Sequence, residues 1–173
     1  LLIVLGNCAA LGGVWELKNY QDKKKTIRHV YKNYQKVENP EIREVDNFVK
    51  VDFTIPGCPV TGPEVLEFLA QILLGKIPHI PQNPVCNECQ NNGYGCQLQK
   101  GKICLGPITL GGCNAVCLKS KQPCWGCRGK YDGAKEENLI SHLSKKFTRD
   151  QINRVMEVFG LRDRVYAKNI KKK

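Results

Sequence analysis

Residues Phe48 to Pro59 read FVKVDFTIPGCP. β-Branched and aromatic side chains alternate with polar ones up to Ile55, and Pro56-Gly57 then breaks the run, as at the end of a strand. Cys58 stands just past that end. Upstream, LLIVL (residues 1–5) is a continuous apolar run stopped at Gly6. That pattern predicts a strand covered on both faces in a parallel sheet, and Cys8 follows it. Between the strands, Thr26 to Tyr34 has the pattern of a short amphipathic helix. Downstream, Thr61-Gly-Pro-Glu64 has the spacing of a capping box. It opens a helix with apolar Val65, Leu66, Phe68, Leu69, Ile72 and Leu73, closed by Gly75. Strand, loop, helix, twice over, is an α/β pattern. Functional groups in such sheets gather at the carboxyl ends of the strands, which is where Cys8 and Cys58 both fall.

The chain has 173 residues, enough for one domain with an appendage, and its 42% apolar content is that of a globular protein. Its formal net charge of +11 is concentrated in lysine: Lys23–Lys25, Lys145–Lys146 and the tail Lys171–Lys173. Such runs suit nucleic acid or another anionic partner, but no reading module accompanies them. Aromatic residues, at 8%, are too few for a base-stacking platform. The runs therefore read as a solvated surface. No apolar stretch reaches the roughly 18 residues of a membrane span. LLIVLGNCAALGGV lacks the length and basic start of a signal peptide, and a chain opening in mid-strand is expected to lack its true N-terminus.

From Ile77 the character changes. IPHIPQNP is extended, and a cysteine-dense, loop-rich segment follows that is not expected to bury a conventional core, so a metal or covalent links must order it. Helical pattern returns near the end. Thr148-Arg-Asp-Gln151 is a second capping box, followed by Ile152, Val155, Met156 and Phe159, with Gly160 as the stop. The expected organisation is an α/β domain over residues 1–76, a cysteine-rich domain over 77–130 and a C-terminal helical segment with a basic tail over 131–173.

Of the 10 cysteines, eight lie between Cys86 and Cys127, spaced C-x2-C-x6-C-x7-C-x8-C-x3-C-x6-C-x2-C. They divide into Cys86, Cys89, Cys96 and Cys104, then Cys113, Cys117, Cys124 and Cys127. Two structural zinc sites would use the same fours. Four disulfides would need an oxidising compartment, and C-x2-C pairs bridge readily only as redox sites. A thioredoxin-like dithiol would use one pair and leave the rest idle. Iron–sulfur ligation accounts for more. It needs four converging thiolates and small residues that let backbone amides reach the sulfurs, and Gly93, Gly95, Gly106, Gly111, Gly112 and Gly126 meet that need. His79 is a weaker candidate ligand, and His29 and His142 read as surface or packing residues.

GNCAALGG (6–13), VDFTIPGCP (51–59), CLGPITLGGC (104–113) and PCWGC (123–127) together resemble the small, electron-transferring subunit of NiFe hydrogenases. That family shares a flavodoxin-like domain with the 20-kDa cluster subunit of respiratory complex I, which lacks the eight later cysteines and is the poorer match. The resemblance runs from Leu1 to about Gly129 and implies three 4Fe-4S clusters. Cys8 and Cys58 match two ligands of the proximal cluster, whose other two are absent from this sequence. The first set of four matches the distal cluster and the second the medial one. In the periplasmic branch of the family the distal set begins with His and the medial set has three cysteines. Cys86 and Cys117 depart from that, as in cytosolic hydrogenases, which implies a cytoplasmic protein. The implied partners are a NiFe large subunit and an electron-exchanging subunit of flavin, ferredoxin-like or heterodisulfide-reductase type, with no nucleic acid and no membrane span. A zinc-stabilised nucleic-acid module, or a cluster subunit of a non-hydrogenase complex, is the alternative reading.

Overall fold

The computed structural model describes residues 1–38 and 40–166, so the Lys171–Lys173 tail lies outside the described residues. Two strands, β1 (Ile3–Leu5) and β2 (Phe53–Ile55), pair in parallel with Ile3 opposite Phe53 and Leu5 opposite Ile55. Both are shorter than their apolar runs. Only Val4 and Ile55 within them are buried, whereas Leu1 and Phe48, at 80% and 72% exposed, extend beyond the pairing. The expected cover on both faces is not seen: Leu2 and Leu5 are exposed as well.

Helix α1 (Asn7–Leu11) starts directly after β1 and leads, through Gly12 at φ 80°, into a 3-10 turn over Gly13–Tyr20. Helix α2 spans Lys23–Val30, a few residues earlier than its apolar pattern suggests, because the Asp22 carboxylate caps it by accepting from the Lys25 amide at 3.1 Å. Helix α3 (Gly62–Leu73) returns over the sheet, with Phe68 edge-on to Phe53 of β2 at 5.6 Å between ring centres. Thr61 sits at its N-cap, yet the expected capping box does not form. The Glu64 side chain that would complete it is turned towards Arg128 instead.

The cysteine-rich segment is mostly loop but holds two short helices, α4 (Val85–Asn91) and α5 (Val116–Lys119). Cys86 and Cys89 thus stand one helical turn apart on α4. Helices α6 (Glu136–Leu143), α7 (Arg149–Glu157) and α8 (Leu161–Tyr166) complete the described chain. The capping box of α7 forms as expected: Thr148 accepts from the Gln151 amide, and the Gln151 side chain accepts from the Thr148 amide.

Two buried clusters hold these parts together. In the first, Leu105 and Ile108 pack with Leu139, Leu143, Ile152, Met156, Leu161 and Val165. The cysteine segment therefore does contribute to a conventional apolar core, contrary to its expected character. Each such side chain stabilises the fold by roughly 1.5–3 kcal/mol on burial. In the second cluster, cysteines form half of the core: Cys89, Cys104 and Cys124 with Val85, Ala115 and Leu118. No helix among the described residues is long and apolar enough to cross a membrane.

Candidate metal centre

The parallel pair brings two cysteines to one edge. Cys8 and Cys58 each lie three residues beyond the paired Leu5 and Ile55, and the Asn7 amide donates to the Gly57 carbonyl at 2.7 Å. Both thiols are exposed.

Cys86, Cys89, Cys96 and Cys104 all line one cavity of about 60 Å3, closed by Val85, Tyr94, Leu98, Pro107 and Leu118. Gly106 forms part of its wall. A methyl group there would lie 3.3 Å from the Cys86 sulfur and 3.6 Å from that of Cys104, so the backbone comes close only because no side chain intervenes. Among the described residues no three Cys, His, Asp or Glu side chains close in to hold a single metal ion. The four thiols ring a space.

The second set lies against the first. Cys127 has Cys113, Cys117 and Cys58 as charged-state neighbours, and Cys124 has Cys104 and Cys127. The Cys124 amide donates to the Cys104 sulfur at 3.2 Å, a direct link between the sets. Other amides also aim at sulfur: Gly106 at Cys104, Gly126 at Cys124, Ala115 and Val116 at Cys113, and Cys58 at Cys127. Two of the glycines singled out in the sequence, Gly106 and Gly126, serve the sulfurs as expected. Two others do not: the Gly111 carbonyl binds Arg128, and the Gly112 amide donates to Glu88.

Burial, and then the neighbouring thiols, push Cys86 up to about 12. Burial likewise drives Cys127 to about 11 and raises Cys89, Cys104, Cys113, Cys117 and Cys124. Bare thiolates packed this closely would repel one another, and bound metal cations are what allow coordinating thiols to ionise together. An all-thiol set with Cys89, Cys104 and Cys124 buried, Cys96 exposed and the others half-buried, and with amides directed at several of its sulfurs, fits an iron–sulfur cluster. His79 is not on the cavity wall. It is exposed, and its amide donates to the Gln71 side chain beside α3.

Three polar side chains that no local pattern announces tie the site together. Arg128, directly after Cys127 and only 2% exposed, donates to the Pro56 carbonyl (2.7 Å), the Gly111 carbonyl (2.7 Å) and both oxygens of Glu64. Asn7 donates to the Cys127 carbonyl at 2.6 Å. Glu88 accepts from the Gly112 amide and, at 2.9 Å, from that of Ala115. Their partners lie far along the chain, out to a separation of 120 residues for Asn7, so only the folded contacts reveal them.

Two cysteines at strand ends, with Cys127 of the later eight beside Cys58, make this a cysteine-cage protein built on an α/β module. The family described as "NADH ubiquinone oxidoreductase, 20 Kd subunit" matches residues 1–72. The delta subunit of sulfhydrogenase 2 from Pyrococcus furiosus is 39% identical over 92% of this chain and 67% of its own length. A vhu subunit of the F420-non-reducing hydrogenase from Methanocaldococcus jannaschii is 30% identical over 84% of this chain and 62% of its own length. An iron-sulfur subunit of the F420-non-reducing hydrogenase from Archaeoglobus profundus is 23% identical over 85% and 66%. The chain thus spans about two thirds of the length of these relatives, or slightly less. It belongs to the family of hydrogenase small-subunit-like, electron-transfer proteins.

Proposed function

We propose that this chain is the electron-transfer subunit of a NiFe hydrogenase, working between a hydrogen-splitting site on a separate large subunit and a redox partner of flavin, ferredoxin-like or heterodisulfide-reductase type. The observation that carries this reading is the cage of Cys86, Cys89, Cys96 and Cys104 around one cavity, with two backbone amides aimed at the Cys104 sulfur. On this reading those four hold a distal 4Fe-4S cluster, Cys113, Cys117, Cys124 and Cys127 a medial one, and Cys8 and Cys58 two corners of a proximal one. When bound, the clusters supply one-electron carriage at potentials set by charge, burial and hydrogen bonding.

The chain's own residues do the rest. Val85, Tyr94, Leu98 and Leu118 give the distal cavity a largely apolar lining. The Cys124 amide donates to the Cys104 sulfur, and the amides of Gly106, Gly126 and Ala115 are directed at Cys104, Cys124 and Cys113, sulfurs that carry negative charge in the loaded protein. Arg128 and Asn7 hold the strand-end cysteines against the medial loop. The same resemblance supports a flavodoxin-like arrangement for residues 1–76, followed by a two-cluster domain over 77–130 and a C-terminal helical segment with a basic tail over 131–173, in a cytoplasmic complex.

Iron, acid-labile sulfide and zinc per chain, measured on anaerobically purified protein, test the reading. Two cubanes require about eight irons with matching sulfide, and a complete proximal site raises that to about twelve. Zinc without sulfide would overturn it.

A further inference from the structure

Glu88 sits between the two helix-borne cysteines of the distal set, in Cys86-Asn-Glu88-Cys89, but its carboxylate points into the other set. One oxygen accepts from the Gly112 amide. The other accepts from the Ala115 amide at 2.9 Å and faces the Cys113 sulfur at 3.8 Å. The loop is bent to make this possible. Asn114 and Ala115 take φ values of 53° and 48°, in the left-handed region that L side chains avoid at a cost of roughly 1–2 kcal/mol each. The result is a small anion-holding nest of backbone amides, and the anion it holds is a side chain from the neighbouring cysteine set. The nearby Arg128 guanidinium is already engaged by both oxygens of Glu64. Among the described residues no Lys or Arg pairs with Glu88.

We infer that Glu88 is a positioning residue that sets the reduction potential of the cluster bound through Cys113, by fixing one negative charge beside that sulfur. The inference rests on the iron–sulfur reading above. Once Cys113 binds iron its thiol proton is gone, and sulfur and carboxylate confront each other as like charges. An electron added to the cluster increases that repulsion, so the charge holds the potential low. The same side chain joins α4 to the medial loop, so the distal helix of this chain carries the charge that tunes the medial site.

The test is an EPR-monitored redox titration of the anaerobic full chain in its complex, with iron and sulfide counted in every sample. Glu88→Gln keeps the shape and an acceptor oxygen but removes the charge, while Glu88→Asp keeps the charge. In Glu88→Gln one cluster is expected to become easier to reduce by about tenfold in equilibrium constant, about 59 mV upward for one electron. The other cluster should move less, and Glu88→Asp should stay near the native value. Unchanged midpoints in a fully loaded Glu88→Gln protein would overturn the inference. So would loss of the same cluster in both variants, which would make Glu88 a structural tie alone. If the native chain itself lacks sulfide, the iron–sulfur reading has failed, and the native count shows that separately.

Discussion

Arg128→Met is expected to be a severe change. The side chain is 2% exposed and donates to two backbone carbonyls and to both oxygens of Glu64. Methionine fills much of the volume and provides none of the donors. Glu64, with its side chain only 16% exposed, keeps a carboxylate with no counter-charge. Breaking a buried pair from one side costs about 3–5 kcal/mol, and two orphaned carbonyls add roughly 1–3 kcal/mol each. These contributions share a site and do not sum fully, so about 5 kcal/mol is a fair expectation. For a chain of this size 1 kcal/mol moves Tm by about 2–4 °C, which gives a fall of about 10–20 °C in a thermal melt of the anaerobic protein. The control is Arg128→Met combined with Glu64→Leu, which also removes the stranded charge and should recover about half of the loss. A single variant melting within about 3 °C of native, or a double variant no better than the single, would refute the account of Arg128 as a charge-matched clamp.

Other perturbations address separate parts of the structure. Gly106→Val places branched carbon within 3.3 Å of Cys86 and 3.6 Å of Cys104, so it should lose about four irons and their sulfide per chain; full loading would show that the cavity is not the cluster site. Glu16 is buried, and desolvation raises its pKa from an ordinary 4.5 to about 7 against the lowering pull of Arg164 and Arg43, with Asp163 and Glu44 adding to the rise. The folded chain then holds a proton that the unfolded chain releases above about 4.5, so this contribution to stability is full below that pH and is lost as pH rises through about 7. After allowing for solvent screening it amounts to roughly 1–2 kcal/mol. Denaturation curves for native protein and Glu16→Gln should diverge across that window, the variant being the more stable at pH 8, and parallel curves would remove the effect.

The two capping boxes explain why some of this molecule is legible in its sequence and some is not. Thr148 to Gln151 and Thr61 to Glu64 share one local pattern, yet only the first forms. Gln151 is exposed and has no competing partner among the described residues, so the local rule decides. Glu64 is drawn away by a guanidinium 64 residues distant, whose charge-assisted bonds outweigh one cap. The strands behave similarly. Their apolar runs locate β1 and β2, but pairing extends only across the three registered positions. At the candidate site, the spacing of the thiols is enough to separate Cys86, Cys89, Cys96 and Cys104 as one set, and the structure places all four on one cavity. Glu88 and Arg128 carry no such signal, because a charge inside or beside a C-x2-C motif looks like any surface charge until its partners are known.

Those long-range contacts also decide how independently the cysteine sets can move. The strand-end loops are tied to the loop of Cys113 to Cys127 by Asn7 on the Cys127 carbonyl and by Arg128 on the Pro56 carbonyl. That loop is tied to the cage of Cys86, Cys89, Cys96 and Cys104 by the Cys124 amide on the Cys104 sulfur and by Glu88 on the amides of Gly112 and Ala115. Each tie joins residues beside one set of thiols to residues beside the next, and each is at least partly buried apart from the Glu88 bond to Gly112. A cage built only from its thiols would depend on metal to fix the spacing between neighbouring sites. Here the backbone and three polar side chains fix that spacing as well, so loss of metal from one set should leave the loops of the next in place, and charge placed beside one site acts on its neighbour over a constant distance.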